Sequence, residues 1–360
     1  MMEIQEIRKK IREYFRKSDF EGALSYVKTL NGNQLNEAQY LFESGKILLR
    51  KRDVNGAIQE ITNSIALAPN ANKYNLLGRI HRQREEYDKA ISNYKKSIGL
   101  NPHNTAALSE LAYLNRVQGD LEASQQFFDK IVPALRANNI INRTRTAQDH
   151  IDRMKARTYL EIGVERGINF FQTKAPIKIA VDPRFKIPNR PDNTDSVYFY
   201  ELPSDDFFVS DHKAKLEKDG IDVALVDGLH TYEQSLRDMV SCAEYLNDDG
   251  IIIVHDCYPK NEAASLPDMK AAIKHSTFNG AWNGDVFKAI LWLRCNRKDL
   301  EVYTLDVDHG LGIIKKGKPQ SMLEYTDEHI EKLSYQDFIS VGPEKILNLK
   351  PKDYELKYYS

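Results

Sequence analysis

The N-terminal half of the chain repeats itself at a fixed spacing, and this repetition restricts the fold more than any other feature. Gly45-Lys46-Ile47-Leu48 aligns with Gly78-Arg79-Ile80-His81, and the same shift brings Ala57 onto Ala90 and Pro69 onto Pro102. A third block carries Ala112, Ser124 and Phe128 at the equivalent places, one position later. An earlier partial copy, Phe20-Glu21-Gly22-Ala23, places Ala23 one repeat length, plus one position, before Ala57. Small residues at this spacing let two antiparallel helices approach closely. The prolines end each unit, because proline lacks an N–H and clashes with the preceding turn. Such units cannot bury their apolar faces alone and stack into a curved solenoid with a concave surface.

Period, small residues and prolines together resemble the tetratricopeptide repeat over residues 3–136. The resemblance implies an all-α solenoid, bounded here as residues 1–138. It names no ligand. A protein partner on the concave face, a platform for the next domain and a dimer interface all fit, so oligomerisation stays open. Residues 139–156 contain neither Pro nor Gly and read as a polar helix joining the halves.

The chain of 360 residues is long enough for two packed domains. Its formal net charge of −1 lacks the basic excess that nucleic acid or an anionic membrane surface requires. No apolar run approaches the roughly 20 residues of a membrane span. The N-terminus is amphipathic and mixed in charge, unlike a signal peptide. Cys242, Cys257 and Cys295 form no CxxC pair and no disulfide framework. The expectation is a cytoplasmic protein.

From Arg157 the pattern alternates. Strands are predicted at residues 157–163, 177–182, 196–202, 221–228 and 250–256, followed by an adjacent pair at 301–307 and 310–316. Helices are predicted at 165–174, 204–219, 231–247 and 285–296. Continuous apolar strands between helices imply a mostly parallel sheet, here of seven strands, covered on both faces. The short Asp308-His309 connection makes the last strand antiparallel. Ligands of such sheets sit at the carboxyl ends of the strands.

The first strand ends in Glu161-Ile162-Gly163-Val164-Glu165-Arg166-Gly167. Glycines in such a turn let a cofactor approach backbone N–H groups. The second strand ends at Asp182, which stands far enough beyond Glu161 for a carboxylate to reach a ribose diol from the neighbouring strand. Within one βαβ unit the two features favour a nucleoside cofactor. The arrangement resembles class I S-adenosylmethionine-dependent methyltransferases over residues 157–316. The implied architecture is α plus α/β, a Rossmann-like methyltransferase domain (157–317) behind the solenoid, with 318–360 as a docking tail. The resemblance implies cofactor contacts from Glu161, Gly163, Gly167 and Asp182. It adds Ser204 and Asp205 near the adenine, where an N-cap with acidic first-turn residues is the other reading.

Asp227-Gly228-Leu229-His230-Thr231-Tyr232-Glu233 and His255-Asp256-Cys257 end the next two strands. Together they resemble a branch containing sugar O-methyltransferases. The likeness implies that Asp227 and Asp256, with His255 beside them, hold a divalent ion. Oxygen ligands suit Mg²⁺, whereas His255 suits Mn²⁺ better. His230, at the third position after Asp227, stands as the general base for an alcohol, its imidazole titrating near neutrality. Capping the following helix, or bonding a buried carboxylate, is its other reading. Trp282 and Asp285 offer a sugar a ring and a carboxylate, or form a loop and an N-cap. The expected activity is S-adenosylmethionine-dependent O-methylation of a sugar hydroxyl in a glycan or nucleotide-linked sugar. Methylation of a protein side chain and a catalytically silent interaction module are the alternatives.

Overall fold

The computed structural model describes residues 4–32 and 34–355. Helices α1 (Ile4–Arg16), α2 (Phe20–Leu30), α3 (Glu37–Lys51), α4 (Val54–Leu67), α5 (Ala71–Gln83), α6 (Tyr87–Leu100), α7 (Thr105–Val117), α8 (Leu121–Phe128) and α9 (Ile131–Ala137) come first. Asp19, Asp53 and Asp120 cap α2, α4 and α8, the carboxylates accepting from the N–H groups of Gly22, Gly56 and Ala123. That satisfies one of the donors that a helix start leaves without an intrahelical partner. A Cβ on Gly45 would lie 2.7 Å from Ile61, and one on Gly78 would lie 2.8 Å from the Tyr94 ring. These glycines therefore set the approach of α3 to α4 and of α5 to α6. Ala57 and Ala90 are fully buried in the same repeats. Ser64 and Ser97 donate to the carbonyls of Ala38 and Ala71. This contact recurs with the repeat and went unread in the sequence.

One compact unit runs to Ala134 and a second begins at Leu135. The second opens with α10 (Arg143–Met154), which lies within the segment read as a joining helix. Its strands are β1 (Thr158–Ile162), β2 (Ile177–Val181), β3 (Val197–Tyr200), β4 (Ile221–Val226), β5 (Leu246–Val254), β6 (Leu300–Leu305), β7 (Leu311–Lys316) and β8 (Leu349–Lys350). Its remaining helices are α11 (Ile168–Gln172), α12 (Ser204–Val209), α13 (Ala214–Asp219), α14 (Tyr232–Glu244), α15 (Met269–Lys274), α16 (Phe287–Asn296), α17 (Asp327–Lys332), α18 (Tyr335–Val341) and α19 (Pro343–Leu347). The order β3-β2-β1-β4-β5-β7-β6-β8 forms one sheet. Only β7 runs antiparallel to its neighbours, and β1 and β4 flank the switch point.

The sheet has eight strands where seven were expected. The added β8 comes from the tail and pairs with Thr304 and Leu305 of β6. A strand as short as Leu349-Lys350 cannot show an alternating pattern, so it exists only by pairing. The tail also buries Ile330, Phe338, Ile346 and Leu347 in the core of the sheet. The helix expected over 204–219 is interrupted between α12 and α13, where the Ser210 hydroxyl accepts from the His212 N–H.

Leu160, Ile162, Ala224, Val226, Ile252 and Val254 share that core with Met239 and Cys242 of α14 and Ile290 of α16. Their period of two is the pleat of the strands. α10 packs against β4 and β5. Among the described residues no helix is long and apolar enough to cross a membrane.

The Gly78 contact gives a test of the repeat. Gly78→Val forces a side chain against Tyr94, and overpacking of this kind destabilises by about 1–3 kcal/mol. A thermal melt of the variant should fall below wild type. An unchanged melt would mean that α5 and α6 are not set by this glycine.

Candidate active site

The chain leaves β1 to build β2 and β3 on one side, then returns to place β4 on the other. The loops after β1 and β4 therefore diverge from one crevice, where parallel sheets bind ligands. Gly163 makes their approach feasible. It has φ +83°, and a Cβ there would stand 2.1 Å from the Asp227 carbonyl oxygen. Gly167 likewise has φ +74° and starts α11.

A cavity of about 820 Å³ fills this crevice. Gly163, Gly167's neighbours Arg166 and Ile168, Asp182 and Ser204 line one part, and Asp227, His230, His255, Asp256 and Trp282 line another. Asp182 is fixed by the N–H groups of Glu165 at 2.8 Å and Arg184 at 2.7 Å. Ser204 donates to Asp238 at 2.6 Å, and Gln234 donates to the same oxygen at 3.0 Å. Burial pushes the Asp238 carboxyl up to about 6.

Four residues expected at the site lie outside this lining, Gly167 among them, although its neighbours reach it. Glu161 is fully buried just before Ile162, and strand alternation turns it away from the core face that Ile162 shares. Tyr159 donates its hydroxyl to Glu161 at 2.7 Å, and burial pushes the carboxyl up to about 8. Asp205 is exposed and pairs with Arg237 at 3.1 Å. Asp285 accepts from the Tyr232 N–H at 2.8 Å, capping α14, and its other oxygen lies 3.3 Å from Lys288. Its oxygens face these partners and not the start of α16, where Val286 is the N-cap with no side-chain bond.

The carboxylate centre is tightly coupled. His255 Nδ1 stands 3.1 Å from Asp227 and 2.8 Å from Asp256. His230 Nε2 is 3.4 Å from Asp256 and 3.7 Å from Asp227, and its ring stacks on Trp282 with centroids 4.9 Å apart. The Trp282 indole N–H donates to the Leu266 carbonyl at 2.6 Å, which fixes that ring. Asn283 donates to Asp256 at 3.0 Å. Asp256 itself has φ +61°, a strained conformation for a side-chain-bearing residue.

Sequence reasoning missed Arg143, which opens α10. Its Nε lies 3.2 Å from Asp227 and its Nη1 lies 3.2 Å from Asp308. Nη1 also stands 2.7 Å from His255 Nε2. Burial resists a charge on His255, but Asp227, Asp256 and Asp308 around its two nitrogens outweigh burial and hold the imidazole toward its protonated form. No local pattern ties Arg143 to strand ends as remote along the chain as Asp227 and Asp256. Burial resists the charge on Asp227, but the two imidazoles and Arg143 outweigh it and hold that carboxyl far below its usual range. Burial likewise resists the charge on Asp308, and His255 and Arg143 bring it down to about 2.

Residues 160–257 match the family model described as a methyltransferase domain, and residues 75–139 match the tetratricopeptide repeat. The chain joins tetratricopeptide repeats to a methyltransferase domain. Bacteriophage adsorption protein A of Escherichia coli (strain K12) is 32% identical over 73 residues, 20% of this chain. The chain spans only 7% of that relative's length. The uncharacterised protein ycf37 of Pyropia yezoensis is 25% identical over 138 residues, 35% of this chain and 76% of the relative. Among solved structures, MamA is 21% identical, with a TM-score of 0.33 over 41% of this chain and 81% of its own. A tetratricopeptide repeat protein from Parabacteroides merdae is 24% identical, with a TM-score of 0.32 over 39% of this chain and 56% of its own.

The methyltransferase domain should show the depressed Asp308 in its acid unfolding. A carboxyl at about 2 instead of 3.8 stabilises the native state above pH 4, and that contribution is lost as pH falls through 4 toward 2. It amounts to roughly 2 kcal/mol. Asp308→Asn should lower stability at pH 7 and flatten the slope of stability between pH 4 and pH 2. Denaturant melts across that range would show parallel slopes if the carboxylate were not stabilised.

Proposed function

We propose that this methyltransferase uses S-adenosylmethionine to methylate a sugar hydroxyl of a glycan or nucleotide-linked sugar, while the repeats hold a protein partner or the acceptor. One observation carries the reading. Ligand atoms of Asp227, His230 and Asp256 lie within 4.8 Å of one another, in the wall of the cavity that Gly163 and Asp182 also line.

The cavity's residues fit the cofactor. Each Asp182 oxygen takes one backbone N–H and keeps a lone pair for a ribose hydroxyl. Ser204, Gln234 and Asp238 supply a polar wall for the remainder of a nucleoside. S-Adenosylmethionine held there would supply an electrophilic methyl group.

The centre also fits a cation. The carboxylates of Asp227, Asp256 and Asp308 face the one guanidinium of Arg143, and the negative charge it leaves draws protons onto His230 and His255. A divalent ion, Mg²⁺ or Mn²⁺, held by Asp227 and Asp256 would balance that charge and acidify a neighbouring hydroxyl. His255 has one nitrogen toward these carboxylates and the other toward Arg143, so in this reading it orients them.

His230 would take the proton of the acceptor hydroxyl. Burial disfavours its charged form, but Asp227 and Asp256 outweigh burial and raise its pKa above the ordinary value. The neutral, proton-accepting form therefore grows as pH rises through that raised value. The distances from Nε2 to both carboxylates support a second reading, in which His230 is a third metal ligand.

Incubation with labelled S-adenosylmethionine, nucleotide sugars, glycans and cell lysate, with and without chelator, tests the whole reading. Methyl transfer to a sugar, lost on chelation, is expected. Transfer to protein alone would move the acceptor to a side chain, and no heat on titration with S-adenosylhomocysteine would sink the cofactor assignment.

His230→Ala should lower turnover by about 10²–10⁴-fold while cofactor affinity stays near wild type. For a lost base, the deficit shrinks as pH rises. For a lost ligand, the metal concentration giving half-maximal activity rises instead.

A further inference from the structure

Val307-Asp308-His309-Gly310 joins β6 to β7, closed by the Gly310 N–H donating to the Val307 carbonyl at 2.8 Å. Both central residues have positive φ, +47° at Asp308 and +64° at His309. Two-residue hairpins of this kind ordinarily carry Asn-Gly, because a Cβ strains the left-handed backbone. Glycine at 309 would relieve that strain, yet histidine stands there. Strain held at a site is a pointer to function.

The turn is fixed on both sides. Asp308 accepts from the Arg143 backbone N–H at 2.9 Å and from its Nη1 at 3.2 Å. The His309 carbonyl accepts from the Tyr258 N–H at 2.8 Å and from the Asn283 amide at 3.1 Å. The exposed His309 imidazole is thereby set edge-to-face with His255, ring centroids 5.9 Å apart. A second cavity of about 520 Å³ opens at this place. It shares Arg143, His255, Asp256 and Trp282 with the larger cavity and adds Asn279, Asp308 and His309. The two cavities meet at these four shared residues.

We propose that the second cavity is the acceptor subsite, that it takes an uncharged polyhydroxylated ring, and that His309 determines its affinity. This rests on the methyltransferase reading above. Hydroxyls both donate and accept, so they match the Asp308 carboxylate, the His309 imidazole and the Asn279 amide together. The Trp282 indole offers an apolar wall beside them. A carboxylated or phosphorylated ring would instead meet the Asp308 carboxylate. The guanidinium within reach already faces Asp227 and Asp308. Like-charge contact in a cavity of this kind rejects the anion. His309 is a specificity residue here, since the proton acceptor proposed above is His230.

Saturation-transfer NMR on the full chain, loaded with S-adenosylhomocysteine, tests this. The probes are methyl β-D-glucopyranoside and methyl α-L-rhamnopyranoside against glucuronate and glucose 6-phosphate. The neutral glycosides should give signal and the anions little. His309→Gly should melt at the same or a higher temperature and bind S-adenosylhomocysteine as wild type does, while glycoside affinity falls by about tenfold, as for a lost hydrogen bond. His309→Asn, which tolerates a left-handed backbone and keeps an amide, should recover part of that loss. Cofactor binding without any glycoside signal, anion signal equal to the neutral one, or unchanged affinity in His309→Gly each overturns this proposal alone. Failure of S-adenosylhomocysteine to bind overturns the methyltransferase reading and this proposal with it.

Discussion

The guanidinium of Arg143 is the cation around which the carboxylate centre is organised. Asp227 and Asp308 both face it, and His255 links it to Asp256. Buried carboxylates repel one another and would protonate or draw apart without such a partner. The placement is reinforced by the backbone. Asn142 caps α10 by accepting from the Arg145 N–H, and Asp308 accepts from Arg143's own N–H in the first turn. An anion at that helix end meets both unpaired donors and the positive end of the helix dipole. Arg143, Asn283 and Asp308 lie outside the matched segment 160–257, so the domain's centre is completed from the chain on either side of it.

Left-handed backbone also occurs at this centre. Asp256, Asp308 and His309 have positive φ within one small region, and Gly163 turns beside the Asp227 backbone. Each has a visible reason. Gly163 admits the Asp227 carbonyl, Asp256 receives the Asn283 amide, and the hairpin delivers Asp308 to Arg143. Glycine is mandatory only at the first of these, where no side chain has room. Asp256 and Asp308 keep side chains whose carboxylates are paired there.

The repeats follow a plainer rule. Their contacts recur with the sequence period, as in the Ser64 and Ser97 hydroxyls, the aspartate caps and the glycines under Ile61 and Tyr94. Nearest-neighbour packing of this kind needs nothing from distant sequence. It builds a surface whose occupant is set by exposed side chains, and those the period does not dictate.

The sequence by itself determined whatever depends on local period and on strand-end position. The solenoid followed from glycines, alanines and prolines recurring at one fixed spacing, and the sheet from apolar runs between helices. Asp182, Asp227, His230, Asp256 and Trp282 were legible because parallel strands bring their carboxyl ends to one edge, and these residues line one cavity. Tertiary structure decided the rest. Strand alternation buried Glu161 against Tyr159, the start of α14 took Asp285 as its cap, and pairing with β6 made a strand of Leu349 and Lys350. Arg143 reached the carboxylates only because α10 packs on β4 and β5. The physical reason is range. Hydrogen-bonded period is written along the chain, whereas a charge finds its partner through space, wherever folding leaves the nearest opposite charge out of water.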